Sequence, residues 1–236
     1  MSKPLASKTV GIVGGIAPES TIQYYRQIVN AYQALTNDTE FPPVIINSIH
    51  MTKMLNLIGA KKLTEVTEYL LHEIQKLHHA GADFAVLASN TPHIVFDELQ
   101  QQSPIPLISI VETACIEAKT QGLKRLGILG TKFTMQGTVY PFVFAQAEIE
   151  IVSPRPEEQD IIHGIYMGEL VKGDLRPESR EQLLLIIEIM KRRDQLDGVI
   201  LGGTELPLIL TQPSHDGLPL LDTTKLHVSR IVQALF

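Results

Sequence analysis

Residues 86–93 read VLASNTPH, and residues 200–207 read ILGGTELP. Each apolar run gives way to small and hydroxyl-bearing residues and then meets a proline, the pattern of a buried strand that ends in a polar loop. Upstream of the first, ADFAVLAS (82–89) is nearly continuous in its apolar residues, as expected of a strand covered on both faces. The same shape recurs at the chain's beginning, where KTVGIVGG (8–15) leads through Pro18 into ESTIQYYRQIVNAYQAL, whose apolar positions fall at helical spacing.

Working outward, PVIINSI (43–49) reads as a strand and Thr64–Ala80 as a helix closed by Gly81. IVFDELQQQ follows as a short helix and IPLISIV (105–111) as the next strand. LKRLGILGT (123–131) and IEIVSP are strands of a second series, interleaved with helical stretches at FTMQGTVYPFVFAQA, QDIIHGIYMGELVKG and ESREQLLLIIEIMKRR. The segment LPLLDTTKLHVSRIVQALF ends the chain as a short strand and a helix. Strands alternating with helices at this spacing predict βαβ units and a mainly parallel sheet.

The two series align. Pairing VGIVGG with LGILGT sets Gly11 against Gly127, 116 positions on, and pairing LASNTPH with LGGTELP sets Ser89 against Gly203, 114 positions on. Two independent motif pairs with nearly one offset indicate a duplicated half of about 115 residues. The expectation is an α/β chain of two similar Rossmann-like lobes with parallel sheets, related by a pseudo-twofold axis. The first lobe spans 1–112 plus 213–236 and the second 113–212. Open parallel sheets bind ligands beyond the carboxyl ends of their strands, so a ligand cleft between the lobes is expected, lined by Gly14, Gly15, Ser89, Asn90, Thr91, Gly130, Thr131, Gly203, Thr204 and Glu205. Most of these are small or neutral hydrogen-bonding groups, which suit a compact carboxylate held by hydroxyls, amides and backbone N–H groups. The competing reading of Asn90-Thr91-Pro92 is a plain turn and helix start.

Composition narrows the function. With 20 basic against 26 acidic residues, a formal charge of −6 and no basic run longer than Lys191-Arg192-Arg193, nucleic acid is not the expected partner. MSKPLASKTV lacks the apolar core of a signal peptide and no apolar run approaches a membrane span, so the expected location is the cytoplasm, away from membrane. The lone Cys115, in VETACIEAKTQG, fits a small core residue. His72, His78 and His79 lack ligand spacing, so no metal is expected. GIVGGIAP lacks the full dinucleotide fingerprint, and no cofactor is expected.

Five motifs, GIVGGIAPESTIQYY, ASNTPH, GTKFTM, GGTELP and LPLLDTTKLH, together resemble the cofactor-independent aspartate/glutamate racemase superfamily, especially its amino-acid racemase branch, over essentially the whole chain. The resemblance implies two α/β lobes enclosing an amino acid, with one cysteine from each lobe on either face of the α-carbon. Inverting such a centre needs a base on one face and an acid on the other. The family's cysteine positions fall on Ser89 and Gly203, so neither thiol is present in this chain. The positions implied for substrate binding are Ile16, His50, Asn90, Thr91, Thr131, Thr134, Thr204 and Glu205. A basic residue that some relatives carry corresponds to Ile161, which argues against an acidic substrate side chain. The implied activity is a PLP-independent amino-acid racemase acting at the α-carbon of a small amino acid, with a homodimer as the implied assembly. The alternatives are a catalytically silent protein binding a small amino acid or carboxylate, and a different reaction, decarboxylase- or hydrolase-like, in the same cleft. His93 is read as a structural hydrogen-bonding residue.

Overall fold

In the computed structural model, residues 7–37 and 39–236 are described, and the N-terminal stretch read for a signal peptide lies mostly outside them. The chain divides into two compact units, one holding the residues up to Ser109 together with His227–Phe236, the other Ile110–Leu226.

The first unit runs β1 (Val10–Gly14), α1 (Pro18–Thr36), β2 (Val44–Ser48), α2 (Met51–Gly59), α3 (Leu63–His79), β3 (Phe84–Leu87), a 3₁₀ turn at Thr91–Val95, α4 (Phe96–Gln102) and β4 (Leu107–Ile108). Its strands pair in parallel in the order β2-β1-β3-β4. The unbroken apolar character of β3 has a direct cause. Phe84, Val86 and Ala88 enter one core cluster with Val10, Ile12 and Tyr24, while Ala85 and Leu87 enter the opposite one with Val13, Val66 and Leu70. Successive side chains point to opposite faces, and both faces are covered.

The second unit runs α5 (Ile110–Thr120), β5 (Arg125–Leu129), α6 (Lys132–Met135), α7 (Val139–Ala145), β6 (Glu150–Val152), α8 (Pro156–Gly168), a 3₁₀ turn at Leu170–Lys172, α9 (Pro177–Asp194), β7 (Gly198–Leu201), α10 (Leu206–Ile209), β8 (Ser214–His215), β9 (Leu218–Asp222) and α11 (Thr223–Ala234). The unit boundary falls within α11. The sheet order β6-β5-β7-β9-β8 repeats that of the first unit and adds one antiparallel edge strand. The repeat survives at the level of single residues. Val13 pairs with Leu87 in one sheet and Leu129 with Leu201 in the other, which reproduces the offsets of 116 and 114.

Three expectations need correction. The expected first lobe includes the strand at 218–222, but that strand pairs with β7 through Val199–Leu220, so 213–226 group with the second unit, as does Ile110–Glu112. IPLISIV is not one strand. Only Leu107 and Ile108 pair, and Ile110 already opens α5, whose buried Ile110, Val111, Ala114 and Ala118 follow a helical stripe. Helix α2 was not anticipated, although Met54 and Ile58 sit one turn apart on its buried side. No helix among the described residues is long and apolar enough to cross a membrane.

Candidate active-site loops

Ser89 follows β3 in a loop held by four hydrogen bonds. The Ala88 N–H donates to the Val13 carbonyl at 3.0 Å, and the buried Ser20 hydroxyl donates to the Ala88 carbonyl at 2.7 Å. His93 closes the far side, its Nδ1–H donating to the Ser89 carbonyl at 3.0 Å and its backbone N–H to the Asn90 carbonyl at 3.1 Å. The ring stacks on Phe96 with centroids 4.9 Å apart. It is 2% exposed, and burial pushes its pKa down to about 3, so the imidazole is neutral and serves as a brace. That agrees with the structural role read from the sequence. Ser89 and Asn90 are themselves buried, and Thr91 opens the 3₁₀ turn.

The second unit builds the equivalent loop in the same way. The Gly202 N–H donates to the Leu129 carbonyl at 2.7 Å, as Ala88 does to Val13, and the Thr223 hydroxyl donates to the Leu201 carbonyl at 2.8 Å. Glycine is required beside this bond, because a Cβ on Gly130 would stand 2.8 Å from the Gly202 carbonyl oxygen. Thr131 caps α6, its hydroxyl accepting from the Thr134 N–H at 3.3 Å and lying 3.2 Å from the Thr134 hydroxyl.

Gly203 does not leave a hole. A Cβ built on it would lie 2.9 Å from Cζ and 3.0 Å from the hydroxyl oxygen of Tyr166, whose ring, on α8, occupies the place of a side chain. The Tyr166 hydroxyl donates to Oε2 of Glu205, and the Thr204 hydroxyl donates to the same oxygen at 2.9 Å. Glu205 is 1% exposed, so its carboxylate stands in a dry, donor-rich pocket. Burial, then the adjacent carboxylate, push the Tyr166 phenol well above its ordinary value. The carboxylate of Glu205 makes no cap to α10 and accepts from both hydroxyls through Oε2.

The remaining candidates are dispersed, Ile16 and His50 in the first unit and Cys115 in the second. Ile16 packs in the core cluster with Val13, Ile49 and Met54. His50 is exposed at the start of α2, where its backbone N–H donates to the Tyr69 hydroxyl at 3.1 Å. Cys115 is buried among Ala114, Ala118 and Phe144. The group that sequence reasoning missed is Tyr166. Its one signal is that a glycine in a buried loop obliges a neighbouring element to fill the space, and the buried stripe of α8 carries an aromatic at 166.

The loop after β1 is sterically closed. Gly15 has φ +80°, donates its N–H to the Thr21 hydroxyl at 2.7 Å, and would put a Cβ 2.6 Å from Ser48 Oγ and 2.8 Å from the Ile49 carbonyl oxygen. Gly15→Ala is expected to cost about 2–4 kcal/mol, from left-handed strain and overpacking together, read as a lowered urea midpoint at unchanged slope.

Comparisons with known proteins place this geometry in context. The model of the family described as Asp/Glu/Hydantoin racemase matches residues 13–231. The chain is 27% identical over 224 residues to the broad specificity amino-acid racemase RacX of Bacillus subtilis (strain 168), covering 91% of this chain and 92% of that protein. Among solved structures, an aspartate racemase homologue from Pyrococcus horikoshii OT3 superposes with a TM-score of 0.83 at 29% identity, over 97% of this chain and 99% of that one. A putative Asp/Glu racemase from Yersinia pestis does so with a TM-score of 0.85 at 27% identity, again over 97% and 99%.

Proposed function

Because the chain belongs to the Asp/Glu/Hydantoin racemase family, we propose that it is a PLP-independent amino-acid racemase that moves a proton at the α-carbon of a small amino acid. The observation that carries this reading is the pair of strand-end loops, Ser89-Asn90-Thr91 after β3 and Gly203-Thr204-Glu205 after β7. They occupy matching places in two sheets of one topology and hang from matching backbone bonds, Ala88 to Val13 and Gly202 to Leu129. In this reading each loop supplies one of the two acid–base positions. The Asn90, Thr91, Thr131, Thr134 and Thr204 groups bind the carboxylate and amino groups. The kinship with RacX supports amino acids as the substrate class.

The acid–base positions are atypical. A serine hydroxyl needs an adjacent base to act as a nucleophile or proton acceptor. Here the Nδ1 of His93 goes to the backbone carbonyl of Ser89 and not to its hydroxyl. That observation favours a second reading, in which the first loop only binds and the protein either sequesters its ligand or performs a reaction needing a proton on one face alone, such as decarboxylation. The test is ¹H NMR of the protein with single amino acids in D₂O. Decay of the α-proton signal is the expected result. Saturable binding with no decay for any amino acid that binds would refute the racemase reading and leave the second.

A further inference from the structure

We propose that Tyr166 and Glu205 form the proton relay of the second unit, taking the place of the side chain that Gly203 lacks. The proposal rests on the racemase reading and names the proton carrier for one face of the α-carbon. Three observations support it. The Tyr166 hydroxyl lies 3.0 Å from where a Cβ at 203 would stand, so a polar, proton-bearing atom occupies the space of the missing head group. That hydroxyl donates directly to Glu205, a carboxylate buried beyond the reach of bulk water. Thr204 donates to the same accepting oxygen at 2.9 Å, which holds Oε2 in place beside the phenol.

The chemistry balances without a phenolate, which the neighbouring carboxylate and burial disfavour. As the Cα–H bond breaks, its proton passes to the Tyr166 oxygen while the phenolic proton passes to Oε2 of Glu205. The electron pair remains on the α-carbon, spread into the substrate carboxylate. Tyrosine begins and ends as a neutral phenol, and the negative charge moves from Glu205 to the substrate. The reverse transfer, from protonated Glu205 through Tyr166, delivers a proton to the same face. Tyr166 is thus the group at the reacting atom, and Glu205 acts through it.

The experiment measures α-deuterium exchange separately on the L and D forms of one amino acid that the protein binds, for the parent protein, Tyr166→Phe and Glu205→Gln. Phenylalanine keeps the ring that fills the space at Gly203, and glutamine keeps the shape of Glu205 while removing its capacity to take a proton. Each variant is expected to lose at least about 100-fold in exchange from one enantiomer, the same one in both, and to hold exchange from the other within about threefold. The melting temperature of Tyr166→Phe is expected to stay within a few degrees of the parent. If the parent exchanges both enantiomers and Tyr166→Phe does so at the same rates, the relay is wrong and the racemase reading stands. Equal loss from both enantiomers, accompanied by a lowered melting temperature, would assign Tyr166 a packing role and also overturn the relay. A parent protein that binds amino acids and exchanges none of them refutes the racemase reading and the relay together.

Discussion

Between pH 6.5 and 4.5 the protein is expected to lose about 4 kcal/mol of stability, with the loss centred in its first unit. The cause is a pair of buried histidines. His227, at the point where α11 joins the first unit, donates its Nε2–H to the Ile108 carbonyl at 3.0 Å, so its Nδ1 accepts the Tyr24 hydroxyl at 2.8 Å. His93 braces the Ser89 loop. Burial pulls the pKa of His227 down to about 4 and that of His93 to about 3, and for His93 the charge of His227 lowers it further. The direction follows from proton counting. In this window the unfolded chain binds a proton on each ring and the folded chain does not, so stability is complete above the unfolded value near 6.5 and falls as the pH drops toward the folded values. Each ring contributes about 2 kcal/mol of loss by pH 5 on this linkage.

The window separates the histidines from the carboxylates. Glu73 and Asp194 have lowered values and so withdraw stability only below the ordinary carboxylate range, while Asp222, raised by burial, acts with the opposite sign and in the second unit. Urea unfolding at pH 7, 6, 5 and 4.5 checks the prediction. His227→Gln, whose amide can donate to Ile108 and accept from Tyr24, is expected to flatten about half of the slope. A parent protein with equal stability at pH 7 and 4.5 would show that these rings are not buried neutral.

The residues that made the sheets legible in the sequence are the ones whose reasons are local. FAVL and GVIL are apolar at every position because both faces of a central parallel strand are covered, and the clusters around Val86 and Leu87, or Val199 and Ile200, confirm that cause. Gly81 and Gly15 carry positive φ at a helix end and a loop turn, where glycine is expected. The failures have causes that are not local. A seven-residue apolar run such as IPLISIV is too short to declare a period, so nothing in it separates the two-residue strand from the helix that starts at Ile110. Strand β9 sits near the C-terminus, and its partner β7 is fixed by a crossover that no window of residues reveals. Helix α2 has His50 at its N-cap with no side-chain capping bond, so the usual start signal is missing.

The candidate site divides along the same line. Ser89 and Gly203 are singled out because a repeat can be counted, and their loops share backbone bonds as well as spacing. Tyr166 was invisible for a physical reason. It lies 37 positions before Gly203, and which side chain fills the space beside a glycine depends on how α8 packs on the sheet. The resemblance therefore reads as two missing thiols, whereas in the structure position 89 carries a hydroxyl and the space beside Gly203 is filled by the Tyr166 phenol.

This difference decides what reinstalling the thiols will do. Gly203→Cys by itself is expected to destabilise the protein by about 1–3 kcal/mol, because its Cβ meets the Tyr166 ring end and that ring is tied to Glu205. It is also expected to bring no racemisation, since the incoming sulfur and the phenol compete for one place. Ser89→Cys exchanges one oxygen for sulfur in a loop held through backbone atoms and is expected to be tolerated. The productive combination is Ser89→Cys with Gly203→Cys and Tyr166→Ala, in which the second thiol takes the space the ring vacates. Cysteine is a far better proton carrier than serine here, because a few per cent of a free thiol is thiolate at pH 7 whereas a hydroxyl is essentially never ionised. Positioned acid–base groups contribute about 10²–10⁴-fold, so the triple variant is expected to racemise a bound amino acid at least about 100-fold faster than the Ser89→Cys/Gly203→Cys protein. Chiral chromatography of single L-amino acids, with urea titrations to confirm folding, makes the comparison. Should the double variant fold at parental stability and racemise as fast as the triple, Tyr166 does not occupy the place of a side chain at Gly203, and the account of this loop fails.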